Sequence, residues 1–309
     1  MTMELSIVTT LYQSSPTLRE FYQRVSRAAA TVARDFEIVL VNDGSPDDSL
    51  EIALDLHRTD PRVVVVDLSR NFGHHEAALS GLEHSRGERV FLIDSDLEEP
   101  PEILVDFDAR LRKAGCDVVY GVQDSRKGGW FEQYSGDIFY RLFNVFSAVE
   151  LPRNAVMARL MTRRYVNALL QYQERELFMA GIWALAGFGQ EPVLVNKSHK
   201  GITTYTLRRK LSLLLKAVTS FSDKPLRVIF HIGALLSFFS AAYIVYLVGR
   251  KALFDIGVDG WTSLVVSVWF LGGLTILFLG VIGIYLSKVF VEIKRRPRSI
   301  TRNVYRREA

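Results

Sequence analysis

The sequence predicts an α/β protein: a doubly wound, mostly parallel sheet joined to a C-terminal region of two transmembrane helices. Three observations carry this expectation. From residue 5 to residue 123, short β-branched runs alternate with helix-like segments, the order that sets strands side by side with helices between them. Those strand segments are apolar nearly throughout, as in a parallel sheet covered on both faces. Two later stretches, 228–249 and 261–287, contain no Asp, Glu, Lys or Arg.

The elements follow in order. "LSIVTTLY" (5–12) is the first strand, and Ser15 and Pro16 offer an N-cap and a first helical position for the helix after it. "FEIVLVND" (36–43) is the second strand, closed by the turn "DGSPDDS" and followed by the helix "SLEIALDLHRT". "RVVVVDLS" (62–69) and the helix "HHEAALSGLEHS" come next. "RVFLIDSD" (89–96) precedes "PPEILVDFDARLRKAG", whose prolines belong at a first helical turn. "CDVVYGVQ" (116–123) is the fifth strand.

The chain has 309 residues, enough for one large domain and something more. Each uncharged stretch exceeds the ~20 residues that cross a bilayer as a helix. The expected organisation is a soluble domain over 1–204, an amphipathic interfacial segment over 205–227, spans at 228–249 and 261–287, and a basic tail over 288–309. Lys and Arg crowd the outer flanks, from Arg208 to Arg227 and from Lys288 to Arg307. The connector balances Arg250 and Lys251 with Asp255 and Asp259. The positive-inside rule then gives a multi-pass protein of the cytoplasmic membrane, with both termini and the soluble domain in the cytoplasm. The pI of about 9.1 comes largely from these flanks, which suit anionic lipid head groups. The soluble part lacks the interleaved basic and aromatic residues of a nucleic-acid binder. "MTMELSIVTT" reads as a strand start rather than a signal peptide. The single Cys116 excludes a disulfide framework and a cysteine metal site. Gly272, Gly273, Gly280 and Gly283 permit close helix packing.

The chemistry collects where such folds bind ligands, beyond the carboxyl ends of the strands. Asp43 ends the second strand, Arg70 and Asn71 follow the third, and Asp94 and Asp96 end the fourth. In an extended segment Asp94 and Asp96 share one side. Hard oxygen ligands of this kind hold Mg²⁺ or Mn²⁺, which also bind phosphate oxygens. Glu98 is a candidate third ligand, while Glu99 and Glu102 read as acids of a helix's first turn. Asp43 is placed to meet a nucleotide base or ribose. Arg70 either opposes phosphate charge or pairs with a surface acid. His74 and His75 read as capping or surface residues.

"LSIVTTLYQSSPTL", "VNDGSPDDS", "LSRNFGHHEAALSGL", "DSDLEEPPE" and "GVIGIYLSKVFVEIKRRP" together resemble the family 2 (GT-A fold) glycosyltransferases. Within these, the chain is similar to the polyprenyl-phosphate group, dolichyl-phosphate mannosyltransferase-like and GtrB- and ArnC-like. The resemblance implies inverting transfer from a nucleotide-sugar to polyprenyl phosphate, with a divalent cation on the diphosphate. It implies Asp94 and Asp96 as metal and diphosphate residues, and Thr10, Tyr12, Asp43, Arg70 and Arg126 on the donor side. Homo-oligomers are a family expectation.

The chain also departs from that pattern. Thr10-Leu11-Tyr12-Gln13-Ser14 stands where the family has Pro-x-Tyr-Asn-Glu, and Glu98 where Gln is common. Val156-Met157-Ala158-Arg159-Leu160 replaces Gly-Asp-Phe/Tyr-Arg-Leu, so the acid is gone and the arginine stays. Thr203-Thr204-Tyr205 replaces Ser-Lys-Tyr. A phosphate monoester with a second pKa near ~6 is already an anionic nucleophile and needs no base. Arg159 is then expected to bind the acceptor phosphate. A hydroxyl acceptor would call for a general base, for which Glu174 and Glu176 are the candidates. A nucleotidyltransferase would want a glycine-rich loop after the first strand, and a non-catalytic membrane scaffold would fit the lost acid and lysine.

Overall fold

The computed structural model describes residues 3–123, 154–174, 179–196, 224–254 and 260–307. Among these lies one eight-stranded sheet with the order β7-β5-β6-β4-β1-β2-β3-β8. Its strands are β1 (Leu5–Leu11), β2 (Phe36–Asn42), β3 (Val63–Leu68), β4 (Arg89–Leu92), β5 (Val118–Val122), β6 (Ala155–Thr162), β7 (Gln190–Leu194) and β8 (Thr301–Tyr305). β4, β1, β2 and β3 run parallel, as do β5 and β7. β6 runs antiparallel between β4 and β5, and β8 antiparallel beside β3. The doubly wound sheet is therefore mixed at both ends.

The apolar strand runs are explained by burial on two faces. Leu5, Ile7, Leu11, Ile38, Leu40, Val63, Val65 and Phe91 join one core cluster. It takes in residues of α1 (Leu18–Val32), α2 (Ser49–Thr59) and α4 (Ile103–Ala114). The alternate residues Val8, Val39, Val41, Val64, Val66 and Val90 are buried as well. α3 (His74–His84) lies against that second face. A Cβ on its Gly81 would meet Val8 Cγ1 at 2.4 Å and Val41 Cγ2 at 2.8 Å. Two short helices, α5 (Arg163–Leu169) and α6 (Met179–Leu185), complete this unit.

Three local expectations change. α1 begins at Leu18, later than a Ser15 cap would place it. Ser15 N–H instead donates to Asp47 Oδ2 at 3.0 Å, and Leu18 N–H to the Ser14 carbonyl. β4 stops at Leu92, so Asp94 and Asp96 stand on a turn rather than in an extended segment. Pro100 and Pro101 lie just ahead of α4, and their carbonyls accept the Ile103 and Leu104 N–H groups.

The larger correction concerns the tail. Residues from Arg296 onward belong to the same compact unit as the sheet. Val65, Val66 and Asp67 of β3 pair with Tyr305, Val304 and Asn303. Arg306 Nη1 donates to buried Glu37 at 2.6 Å, and Arg298 Nη1 to the Tyr172 carbonyl at 2.7 Å. Arg307 Nη2 donates to the Arg58 carbonyl at 2.6 Å. These arginines, expected to face lipid, engage protein carbonyls and acids.

The second unit holds α7 (Lys224–Phe254, 31 residues) and α8 (Trp261–Ile293, 33 residues). Both are long and apolar enough to cross a membrane. They include both expected spans and run beyond them. A Cβ on Gly272, Gly273, Gly280 or Gly283 would meet nothing within 4 Å, so these glycines mediate no close packing within the described unit. Most of the expected amphipathic segment, 205–223, lies outside the described residues, as do Arg126, Glu176 and Thr203–Tyr205. Lys224–Arg227 are the first residues of α7.

Candidate active site

Three turns meet at the carboxyl edge of β1, β2 and β4. The first, Tyr12–Thr17, has a positive φ of 54° at Gln13. Gln13 N–H donates to Ser45 Oγ at 2.8 Å, and Ser14 N–H to Ser49 Oγ at 3.0 Å. These bonds brace it against the second turn, "DGSPDDS". Asp47 is the hub of the brace. It accepts the Ser45 and Ser49 hydroxyls at 2.5 Å each and the Ser15 N–H at 3.0 Å. Burial works against its charge, but these bonds win and hold its carboxyl well below the usual carboxylate range.

Ser95 ties the third turn to the first. Its Oγ lies 3.0 Å from both the Thr10 carbonyl and Ser14 Oγ. Ser14 occupies the position where the resemblance expects a nucleoside-holding Glu. Here a buried hydroxyl links two loops instead. Ser95 is buried, Asp94 is partly exposed and Asp96 is exposed. Asp96 Oδ1 accepts the Glu98 N–H at 2.9 Å, and Leu97 takes a positive φ of 62°. This arrangement turns the chain sharply after the two aspartates.

Asp43 was expected to face the nucleotide. The structure buries it and commits both oxygens to backbone: Phe72 N–H at 2.7 Å and Gly73 N–H at 3.0 Å. Burial pushes its carboxyl up, partly offset by those two bonds. It anchors the loop Arg70–Gly73. That loop also rests on Gly44, where a Cβ would meet Asn71 N at 2.5 Å and Arg70 C at 2.6 Å. Gly44 has a φ of +59°, so the position needs glycine on both counts. Arg70 is exposed. Its Nη1 donates to the Asn71 carbonyl at 2.8 Å and its guanidinium lies over the Phe72 ring. Thr10 is partly exposed at the same edge, and Tyr12 is half exposed.

His74 is exposed at the start of α3, as a surface residue would be, and it also reaches the site. Its Nδ1 lies 2.9 Å from Thr10 Oγ1, and its Nε2 lies 3.4 Å from Asp94 Oδ1. It thus spans the tips of β1 and β4. Desolvation pushes its pKa down, partly offset by the charges of Asp43, Asp96 and Glu99. The only signal in the sequence was its place at the start of the helix after the Arg70 loop.

Two other residues also change role. Glu99 is buried at 1 % exposure and accepts the Ala158 N–H at 3.0 Å, which joins the acidic turn to β6. Arg159, expected to bind acceptor phosphate, is 2 % exposed. Its guanidinium stacks on Trp183, and its Nε–H donates to the Met157 carbonyl. Burial holds its pKa down at about 9. The strand pairs Leu92 with Arg159, and Met157, where the resemblance expects an acid, is partly exposed at the end of β6 that reaches this edge.

The donor set suits a divalent ion of limited kind. Among the described residues, no group of three or more His, Cys, Asp and Glu side chains is arranged to hold a metal. The three-carboxylate set with Glu98 is therefore not assembled. Asp94 and Asp96 remain, a pair of hard oxygen donors of the kind that Mg²⁺ sites complete with substrate phosphates and water.

Comparison with known proteins follows this geometry. The Glycosyl transferase family 2 model matches residues 6–170. A protein of Mycobacterium tuberculosis (strain CDC 1551 / Oshkosh) named "Putative glycosyltransferases" is 49% identical over 303 residues, covering 98% of this chain and 89% of its own length. The SfII prophage-derived bactoprenol glucosyl transferase of Shigella flexneri is 32% identical over 307 residues, covering 98% of this chain and 99% of its own. The mannosyltransferase PcManGT from Pyrobaculum calidifontis, solved in complex with GDP-Man and Mn²⁺, is similar in fold. Its TM-score is 0.52 at 13% identity, over 96% of this chain and 87% of that one.

Proposed function

The chain belongs to glycosyl transferase family 2, and from that premise we propose that it moves a sugar from a nucleotide-sugar to polyprenyl phosphate. The observation that carries this reading is the full-length likeness to bactoprenol glucosyl transferases, which extends through the two long apolar helices. A soluble acceptor would give no reason for such helices. An acceptor anchored in the bilayer requires an enzyme held at its surface.

Asp94 and Asp96, on either side of Ser95, would hold Mg²⁺ or Mn²⁺ at the donor diphosphate. When bound, the ion neutralises negative charge that grows on the leaving nucleoside diphosphate. Arg70, exposed on its anchored loop, opposes the same phosphates, and Tyr12 and Thr10 flank the nucleoside. A phosphate oxygen of the lipid attacks the anomeric carbon. The bond from that carbon to the diphosphate oxygen breaks, with inversion. Met157 at the expected acid position is consistent with this acceptor, because a phosphate dianion needs no proton removed. Arg159 stays within the fold, packing β6 against Trp183. The enzyme is read as multi-pass in the cytoplasmic membrane, with the sheet on the cytoplasmic side.

The test is direct. Purified protein is incubated with undecaprenyl phosphate, Mn²⁺ or Mg²⁺, and a panel of UDP-, GDP- and dTDP-sugars, and the lipid is read by mass spectrometry. One donor is expected to give a glycosyl lipid phosphate. Asp96→Asn is expected to lower turnover by at least about 100-fold. Transfer only to hydroxyl acceptors, with no lipid-phosphate product from any donor, would sink the reading.

A further inference from the structure

The C-terminal strand reaches the donor loop. Ser69 immediately precedes Arg70, and both of its backbone polar groups are held by residues near the chain's end. Its N–H donates to the Ile300 carbonyl at 2.8 Å, and its carbonyl accepts Arg302 Nη2 at 2.7 Å. Arg302 Nη1 also lies 3.5 Å from buried Asp67. Asp67 in turn accepts the Asn42 amide at 2.8 Å, beside Asp43.

The register shows how Arg302 comes to be aimed this way. Asp67 pairs with Asn303 and Leu68 with Thr301, so the ladder shifts there and Arg302 is the extra residue. A bulge of this kind re-aims one side chain and bends the edge. The loop Arg70–Gly73 is thus held at one end by Asp43 and Gly44 and at the other by the tail.

We infer that Arg302 is a positioning residue for donor binding, acting through Ser69 on Arg70. The C-terminal strand is then part of the donor site, although it follows α8 in the chain. This inference rests on the proposed reading of Arg70 as a donor-phosphate residue.

The experiment compares full-length wild type with Arg302→Ala, Arg302→Lys, Arg70→Ala and Gly81→Ala. The last is a stability control remote from the loop. KM and kcat for the nucleotide-sugar are measured alongside binding of the matching nucleoside diphosphate with Mn²⁺ and thermal unfolding. Arg302→Ala is expected to raise donor KM and nucleotide Kd roughly tenfold, equivalent to about 1.4 kcal/mol, with kcat within about twofold. Arg302→Lys is expected to recover only part of this, because one ammonium cannot span the Ser69 carbonyl and Asp67 as the guanidinium fork does. Gly81→Ala is expected to lower the melting temperature and leave donor KM alone. If Arg70→Ala raises donor KM and Arg302→Ala does not, the inference fails. It also fails if Gly81→Ala raises donor KM as much as Arg302→Ala. If Arg70→Ala leaves donor KM unchanged, the donor reading of the loop itself fails.

Discussion

His74 shows what a single side chain adds to the acidic edge. Asp94 follows β4 on a turn, partly exposed, and a carboxylate there would swing freely without a partner. The imidazole reaches it at 3.4 Å from Nε2 while Nδ1 sits 2.9 Å from Thr10 Oγ1. If the Thr10 hydroxyl donates to Nδ1, the ring proton sits on Nε2, the nitrogen that faces Asp94 at 3.4 Å. Such outer partners of metal carboxylates are worth about 10–100-fold in affinity or activity. His74→Ala is therefore expected to weaken Mn²⁺ binding in the presence of nucleoside diphosphate by about tenfold or more. His74→Gln should recover most of it, since its amide can donate from near the Nε2 position. Electron paramagnetic resonance of free Mn²⁺ reads this without turnover. Wild-type affinity in the alanine variant would refute the role. The same scale shows where sequence reasoning stopped. Their place at strand ends points Asp43 to the nucleotide and Asp94 to the metal. Only the structure shows that Asp43 faces two backbone N–H groups, because a carboxylate's partners depend on a loop 29 residues away.

At the scale of elements, α3 is held close against the sheet. Gly81 makes it possible, since a Cβ would drive into Val8 and Val41. Gly81→Ala gains helix propensity worth up to about 1 kcal/mol. Overpacking in a dense core costs about 1–3 kcal/mol, and the two valines are fixed in neighbouring strands, so the clash wins. The variant is expected to be less stable by about 1–2 kcal/mol, seen as a lower midpoint in thermal unfolding. A stabilised variant would contradict this packing. The five strands read from the sequence are the ones whose apolar runs pay off in burial, and their bounds agree within a few residues. β6 reads as a motif rather than a strand in the sequence, because Arg159 interrupts "AVMARLM" and its burial against Trp183 is a tertiary event. β8 reads as part of a tail, because "TRNVY" has no apolar run. An edge strand gains chiefly from ladder bonds and from arginines that find acids, and neither leaves a periodic trace.

At the scale of the whole chain, β8 constrains any crossing of a membrane by the two long helices. The chain leaves the sheet before α7 and rejoins it after α8. A chain that returns to one folded sheet ends on the side of the bilayer where it began, so the crossings between must be even in number. Both helices exceed the ~20 residues needed to span. Neither expected span has a charged stripe that would keep a helix flat in the interface. We propose two crossings, which would set the connector on the far side. Its Arg250 and Lys251 are balanced by Asp255 and Asp259, while Lys294, Arg295 and Arg296 follow the second helix unopposed. On the proposed topology, that asymmetry would set the sheet in the cytoplasm. The single native Cys116 makes the test simple. In a Cys116→Ser background, Asp259→Cys is expected to react with a membrane-impermeant maleimide on intact cells. The native Cys116 should react only after permeabilisation. The opposite pattern would place the sheet outside, away from nucleotide-sugars. Protection of both positions in intact cells would mean that the apolar helices dip into the bilayer without crossing it, and that the even number is zero.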